Sequence, residues 1–191
     1  MSSRQDVQAR SQSYRRARSQ PRNDWIAQLR STLTADSQFA RLELVEVAYG
    51  NDDEVESAKQ VEALLAKYPD LKVIVAPTTV GIVAAARAVS DAGRSASVKV
   101  TGLGFPNALK EFVGEDGPVP IFGLWSMPDA GYLAYKVADL LVKGEITGAT
   151  GETFTIPGLN DGKPYTIGPD GVIVLGPVFR FDESNIDQFD Y

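Results

Sequence analysis

The chain has 191 residues, of which 43% are hydrophobic, 23% charged and 9% aromatic, enough for one good core or for one domain and part of a second. It has no cysteine and no histidine, which excludes disulfides, thiolate metal sites and every Ser-His-Asp or Cys-His triad. No apolar run approaches the roughly 20 residues that a membrane-spanning helix needs, and the remaining α/β-type composition favours a binder over a catalyst.

The formal net charge of −6 is unevenly placed. Residues 1–24 carry six arginines against Asp6 and Asp24, whereas the rest of the chain carries thirteen basic and twenty-three acidic side chains. An acidic body disfavours nucleic acid as a partner, because phosphate neutralisation needs clustered Lys and Arg. Residues 1–22 are rich in Ser, Gln and Arg and poor in aliphatics, so residues 1–23 are expected to form a disordered or non-native basic extension. A nucleic-acid tail and a targeting segment are the alternatives, although no apolar stretch follows the arginines as in a secretory signal.

From Asp24 onward the pattern alternates. Asp24 caps an expected helix to about Ala35, and LELVEVAY at 42–49 reads as a strand. The Asn51-Asp52-Asp53 cluster caps a helix over 53–67 that Tyr68-Pro69-Asp70 stops. LKVIVA at 71–76 is a strand, and Pro77-Thr78-Thr79 leads into an Ala-rich helix ending at Gly93. VKVTGL at 98–103 is the next strand, and Gly104-Phe105-Pro106-Asn107 opens a short helix to Val113. PIFGLW at 120–125 is a fourth strand, and Ser126-Met127-Pro128-Asp129 starts a helix to Lys143 with Gly144 at its C-terminal end. Further strands are expected at 153–156, 164–166 and 172–175, with a turn at Pro169-Asp170-Gly171 and a last helical turn within 183–191.

Strand–helix–strand alternation with short links predicts an α/β fold, a doubly wound parallel sheet with helices on both faces. In such sheets ligands bind at the loops leaving the carboxyl ends of the strands. Here those loops are 50–53, 77–79, 104–107 and 126–129, and they bring amides, carboxylates, hydroxyls and the aromatics Phe105 and Trp125. That mixture suits a polyhydroxylated ligand, with polar groups gripping hydroxyls and a ring covering an apolar sugar face. Two features stand apart. The alternation begins on a helix, and the helix after 129 has Leu133, Val137, Leu140 and Leu141 on one face. Burying those four aliphatics is worth roughly 6–12 kcal/mol, so the helix is expected to fold onto this sheet or to have lost a partner domain.

Other motifs are weaker. Gly102-Leu103-Gly104-Phe105-Pro106-Asn107 is a partial dinucleotide fingerprint, but Pro106 removes a backbone N–H and Asn107 replaces the third glycine. The acidic run 51–54 lacks the spacing of a calcium loop and reads as helix capping. No Gly-x-Ser-x-Gly elbow is present, and no metal site or cofactor is expected.

The segments VIVAPTTVGIVAAARAVSD at 73–91, VTGLGFPN at 100–107, FGLW at 122–125, GYLAYKVADLLVKGEITGATGETF at 131–154 and SNIDQFDY at 184–191 resemble the type I periplasmic sugar-binding proteins of ABC importers, in particular the rhamnose- and autoinducer-2-binding subgroup. The resemblance spans about 24–191. It implies two α/β lobes joined by three crossing segments that close over one sugar, export to the periplasm, delivery to a membrane permease, a monomer, and no enzymatic activity. It further implies that 24–126 is the second, sugar-binding lobe. Residues 127–191 would hold hinge crossings, a helix belonging to a missing first lobe, and C-terminal strands. The chain would then be a truncated form without its export signal, cytoplasmic if expressed as given. By the same resemblance Pro77, Thr78, Thr79 and Ser126 face the ligand, with Asn23 nearby and Phe105 or Trp125 as a stacking platform. Gly104 stands where many sugar-binding relatives place an aspartate, and Pro21-Arg22 where an amide-rich stretch is usual. The effector core of a sugar-responsive transcription regulator and a nucleotide-dependent enzyme remain as alternatives; residues 1–23 carry no helix-turn-helix pattern.

Overall fold

Residues 24–191 are described by the structure, a computed structural model; the basic extension expected at 1–23, and with it Asn23, lies outside the described residues. The chain divides into two compact units after Tyr49. In the first, helix α1 covers residues 24–35, and a short 3-10 turn, Ser37–Phe39, follows with Asp36 accepting from the Gln38 N–H at 3.0 Å. The strand expected at 42–49 does not form, and Leu42, Val45 and Tyr49 are exposed. Alternation sets which side chains share a face, whereas a strand also needs a ladder partner, and among the described residues 42–49 has none.

The second unit, Gly50–Tyr191, holds the sheet. Asp53 caps helix α2, Glu54–Lys67, by accepting from the Glu56 N–H at 2.8 Å, and Val61 and Leu65 face inward from it. Strand β1, Val73–Ala76, pairs in parallel with β2, Lys99–Gly102, across helix α3, Thr79–Asp91. A short helix α4, Pro106–Leu109, then leads through a 3-10 turn to β3, Phe122–Leu124. Strand β3 continues the parallel set beside β2: Leu103 bridges Gly123, and the Val100 N–H donates to the Pro118 carbonyl at 2.8 Å. One strand runs the other way: β6, Phe179–Phe181, closes the far side of β3 in antiparallel register, Leu124 opposite Phe179. The spatial order is therefore β1-β2-β3-β6.

The main core lies between this sheet and α2 and α3. It is built from Ile82, Val89, Val98, Val100, Leu109 and Val119, with the rings of Phe122 and Phe181 stacked at 5.0 Å. Helix α3 reaches it with a run of alanines (84–86 and 88), small enough to bring the helix close to the strands.

Helix α5, Met127–Lys143, starts at Ser126, whose hydroxyl accepts from the Asp129 N–H at 3.2 Å. It ends at Gly144, a left-handed residue at φ 72° that glycine adopts without strain. Its apolar face is covered in part. Leu133 is buried in a separate small core with Ile146, Phe154, Ile156, Leu159, Tyr165 and Ile167, and Val137 and Leu140 pack partly against it. Leu141 stays 43% exposed, so the four aliphatics are not all buried. The short hairpin β4–β5, Thr153–Phe154 with Tyr165–Thr166, supplies the other half of this core, its rings stacked at 5.7 Å. Glu152 organises the preceding loop by accepting from the N–H groups of Thr147, Gly148 and Ala149, which holds its carboxyl below the usual carboxylate range. The strand expected at 172–175 does not form: Ile173 and Leu175 pack on the small core without a ladder. The last helical turn expected within 183–191 is a 3-10 turn, Ile186–Gln188.

Candidate functional site

The register of the parallel strands determines where their loops emerge. Ala76 pairs with Gly102 and Leu103 with Gly123, so β1, β2 and β3 end along one edge of the sheet. Neighbouring strands stand about 4.8 Å apart, which places the loops after β1 and β3 about 10 Å from each other, the span of a single monosaccharide with its contacts. The segments 77–79, 104–107 and 125–126 thus rise side by side, as the order of the elements predicts. At Gly102 the approach is closest: a Cβ there would lie 1.8 Å from the Ala76 carbonyl oxygen, and φ is 148°. Only glycine lets the two strands end together.

Two of the expected ligand-facing residues on this edge have a second task. Thr78 is the N-cap of α3, its Oγ1 accepting from the Gly81 N–H at 3.0 Å, and Ser126 caps α5 in the same way. An accepted bond leaves each hydroxyl its own proton, so both can still donate to a ligand oxygen. Capping also fixes the two side-chain rotamers in advance of binding. Pro77 is half-buried. Phe105 and Trp125 keep 39% and 37% of their surface, enough to present a ring edge or face to a ligand. Asn23, the remaining expected contact, lies outside the described residues.

The structure adds neighbours that periodicity did not reveal. Thr79 lines an open depression of about 420 Å³ together with Asp52, Asp53, Glu54, Val80 and Val83, so the acidic loop before α2 meets the start of α3. Glu54 also reaches Arg87 of α3 at 3.3 Å. The antiparallel β6 delivers Phe179, 44% exposed, to the same sheet edge opposite Leu124. The nearest available signal for β6 was the aromatic pair Phe179 and Phe181 at strand spacing, too short a pattern to read alone.

The Asn107 N–H, which a phosphate at a dinucleotide turn would take, donates instead to the Tyr191 carbonyl at 3.1 Å. Among the described residues no group of three or more carboxylates gathers in a geometry that would hold a metal ion.

In the doubly wound class ligands bind at the carboxyl edge of the parallel sheet, the edge where these hydroxyls and aromatic rings lie. Comparison with known proteins narrows the class. The periplasmic binding protein domain family matches residues 15–146, and the chain belongs to that family, with its type I fold represented in part. An ABC transporter solute-binding protein from Clostridium phytofermentas, solved with bound L-rhamnose, is 41% identical over 87% of this chain and 54% of its own, with a TM-score of 0.78. A sugar ABC transporter protein from Actinomyces odontolyticus is 39% identical over 88% of this chain and 53% of its own, with a TM-score of 0.75. LsrB from Clostridium saccharobutylicum, in complex with AI-2, superposes with a TM-score of 0.72 over 89% of this chain and 55% of its own; at 20% identity the likeness is one of fold. The chain spans about half the length of these relatives. No helix among the described residues is long and apolar enough to cross a membrane.

Proposed function

We propose that this chain carries the second, sugar-binding lobe of an ABC-importer solute-binding protein, and that its ligand is L-rhamnose or a related deoxy sugar. The observation that carries the reading is the shared sheet edge, where Thr78, Thr79 and Ser126 stand beside Phe105 and Trp125. The L-rhamnose-bound relative at 41% identity supports the choice of sugar. In this reading the three hydroxyls, with Asn23 nearby, hold ligand oxygens while an aromatic ring covers the apolar side of the sugar. An opposing lobe completes the cleft and excludes water on closing. The closed protein is a periplasmic monomer that presents its cargo to a membrane permease, takes no cofactor and performs no reaction.

A ligand held on one side keeps only part of its contacts, so this chain alone binds L-rhamnose at millimolar concentration. Titration calorimetry returning a micromolar Kd would contradict the half-cleft arrangement. L-mannose, which differs by one hydroxyl on the methyl carbon, tests the apolar contact: it binds about tenfold more weakly if a ring covers that carbon. Equal affinities would remove Phe105 and Trp125 from the site.

A further inference from the structure

The loop after β2 is held at both ends. Behind Phe105, the Gly104 N–H donates to the Gly123 carbonyl at 3.2 Å, and Gly104 is packed so closely that a Cβ would meet Leu109 at 2.7 Å and Ile82 at 2.9 Å. Ahead of it, Pro106 is fully buried, and Asn107 is gripped by the far end of the chain. The Asn107 Nδ2 donates to the Asp190 carboxylate at 2.9 Å and its backbone N–H to the Tyr191 carbonyl at 3.1 Å. The grip is anchored in turn: the Phe189 ring lies edge-on to Phe181 at 4.9 Å and to Phe179 at 5.0 Å, tying 189–191 to strand β6. Phe105 itself has no side-chain cap bond and keeps its ring partly exposed. Its carbonyl accepts from the Ala108 N–H at 3.2 Å, and the backbone on either side is held by the bonds of Gly104 and Asn107.

We propose that Asn107 is a positioning residue: clamped by Asp190 and Tyr191, it sets Phe105 in place for the ligand before the ligand arrives. The proposal rests on the reading of Phe105 as part of a sugar-binding edge. Its physical content is preorganisation, since a platform already ordered loses no conformational freedom on binding. The tail residues act through Asn107 and touch no ligand.

The test is a polarity swap in the full chain. Asn107→Asp sets two carboxylates against each other where donor and acceptor now meet; the double change Asn107→Asp with Asp190→Asn restores one hydrogen bond with its direction reversed. L-rhamnose is titrated by NMR, and exchange of the amides at 107 and 108 is followed without sugar. The expected result is about fivefold weaker binding and about fivefold faster amide exchange in the single variant, with both restored in the double variant. In a Phe105→Leu background the effect on binding should vanish, which a merely structural role would not produce. Wild-type affinity in N107D, or an equal loss with and without Phe105, overturns the proposal. If the wild-type chain binds no saccharide, the functional reading fails separately. The clamp is then judged on exchange alone, upheld by acceleration in N107D that the double variant reverses and overturned by unchanged rates.

Discussion

Replacing Gly102 by alanine probes how the ligand edge is shaped. The new Cβ would stand 1.8 Å from the Ala76 carbonyl oxygen and 2.6 Å from its carbon, and both are backbone atoms that no rotamer can move. Reaching the roughly 3.4 Å of ordinary contact requires β1 and β2 to part by about 1.6 Å at their ends. The bond from the Leu103 N–H to the Ala76 carbonyl, 3.1 Å long, cannot survive that shift. Its loss costs about 1 kcal/mol, and the positive φ of 148° adds about 1–2 kcal/mol for a residue with a side chain. Against this, alanine restricts the unfolded chain and returns about 0.4–1 kcal/mol, leaving a net destabilisation of about 2 kcal/mol. With a urea slope of about 2 kcal/mol/M, the unfolding midpoint should fall by about 1 M. Gly93→Ala is the internal control for a positive φ without a collision: its φ is 65° and nothing lies within 4 Å of the added Cβ. Urea unfolding followed by circular dichroism compares the two. If Gly102→Ala costs no more than Gly93→Ala, the close approach of the strand ends is not what requires glycine there.

Phe122→Ala should destabilise the second unit by about 3–5 kcal/mol, because the ring is 2% exposed and stacked on Phe181; a urea-measured loss under 1 kcal/mol would deny that this pair anchors the main core. Ser126→Ala removes the cap of α5 and should cost about 1 kcal/mol, with Ser126→Gly costing less; equal stability of all three would show that the hydroxyl does not cap. Glu152 has a depressed pKa in the folded chain, so its contribution to stability is present above the unfolded value of about 4.3 and is lost as pH falls through the lower folded value. The Thr147 and Gly148 amide shifts should therefore titrate with a midpoint below that of an ordinary glutamate and cease to titrate in Glu152→Gln; a midpoint no lower than an ordinary glutamate's would refute the loop's organisation around that carboxylate.

What was legible along the chain were signals that act locally. Helical periodicity and caps placed α2, α3 and α5 within a residue or two, because Asp53 and Ser126 satisfy N–H groups only three residues away. Thr78 does so for α3, and Gly93 and Gly144 end their helices through their own dihedrals. The alternation of strands and helices also placed the loops 77–79, 104–107 and 126–129 after strands in one parallel register, whereas the fourth expected loop, 50–53, follows a segment that forms no strand. The strands misread were those whose existence depends on a neighbour. Residues 42–49 and 172–175 read as strands and still form no ladder among the described residues, while Phe179–Phe181, only three residues long, forms one because β3 lies open beside it. Tertiary structure alone joined Asn107 to Asp190 across 83 positions of sequence, gathered Thr79 with the acidic loop before α2, and seated part of the apolar face of α5 on a small second core. Periodicity records how a segment divides its side chains between two faces. Which surface a face meets depends on chain closure over long separations, and no local pattern carries that information.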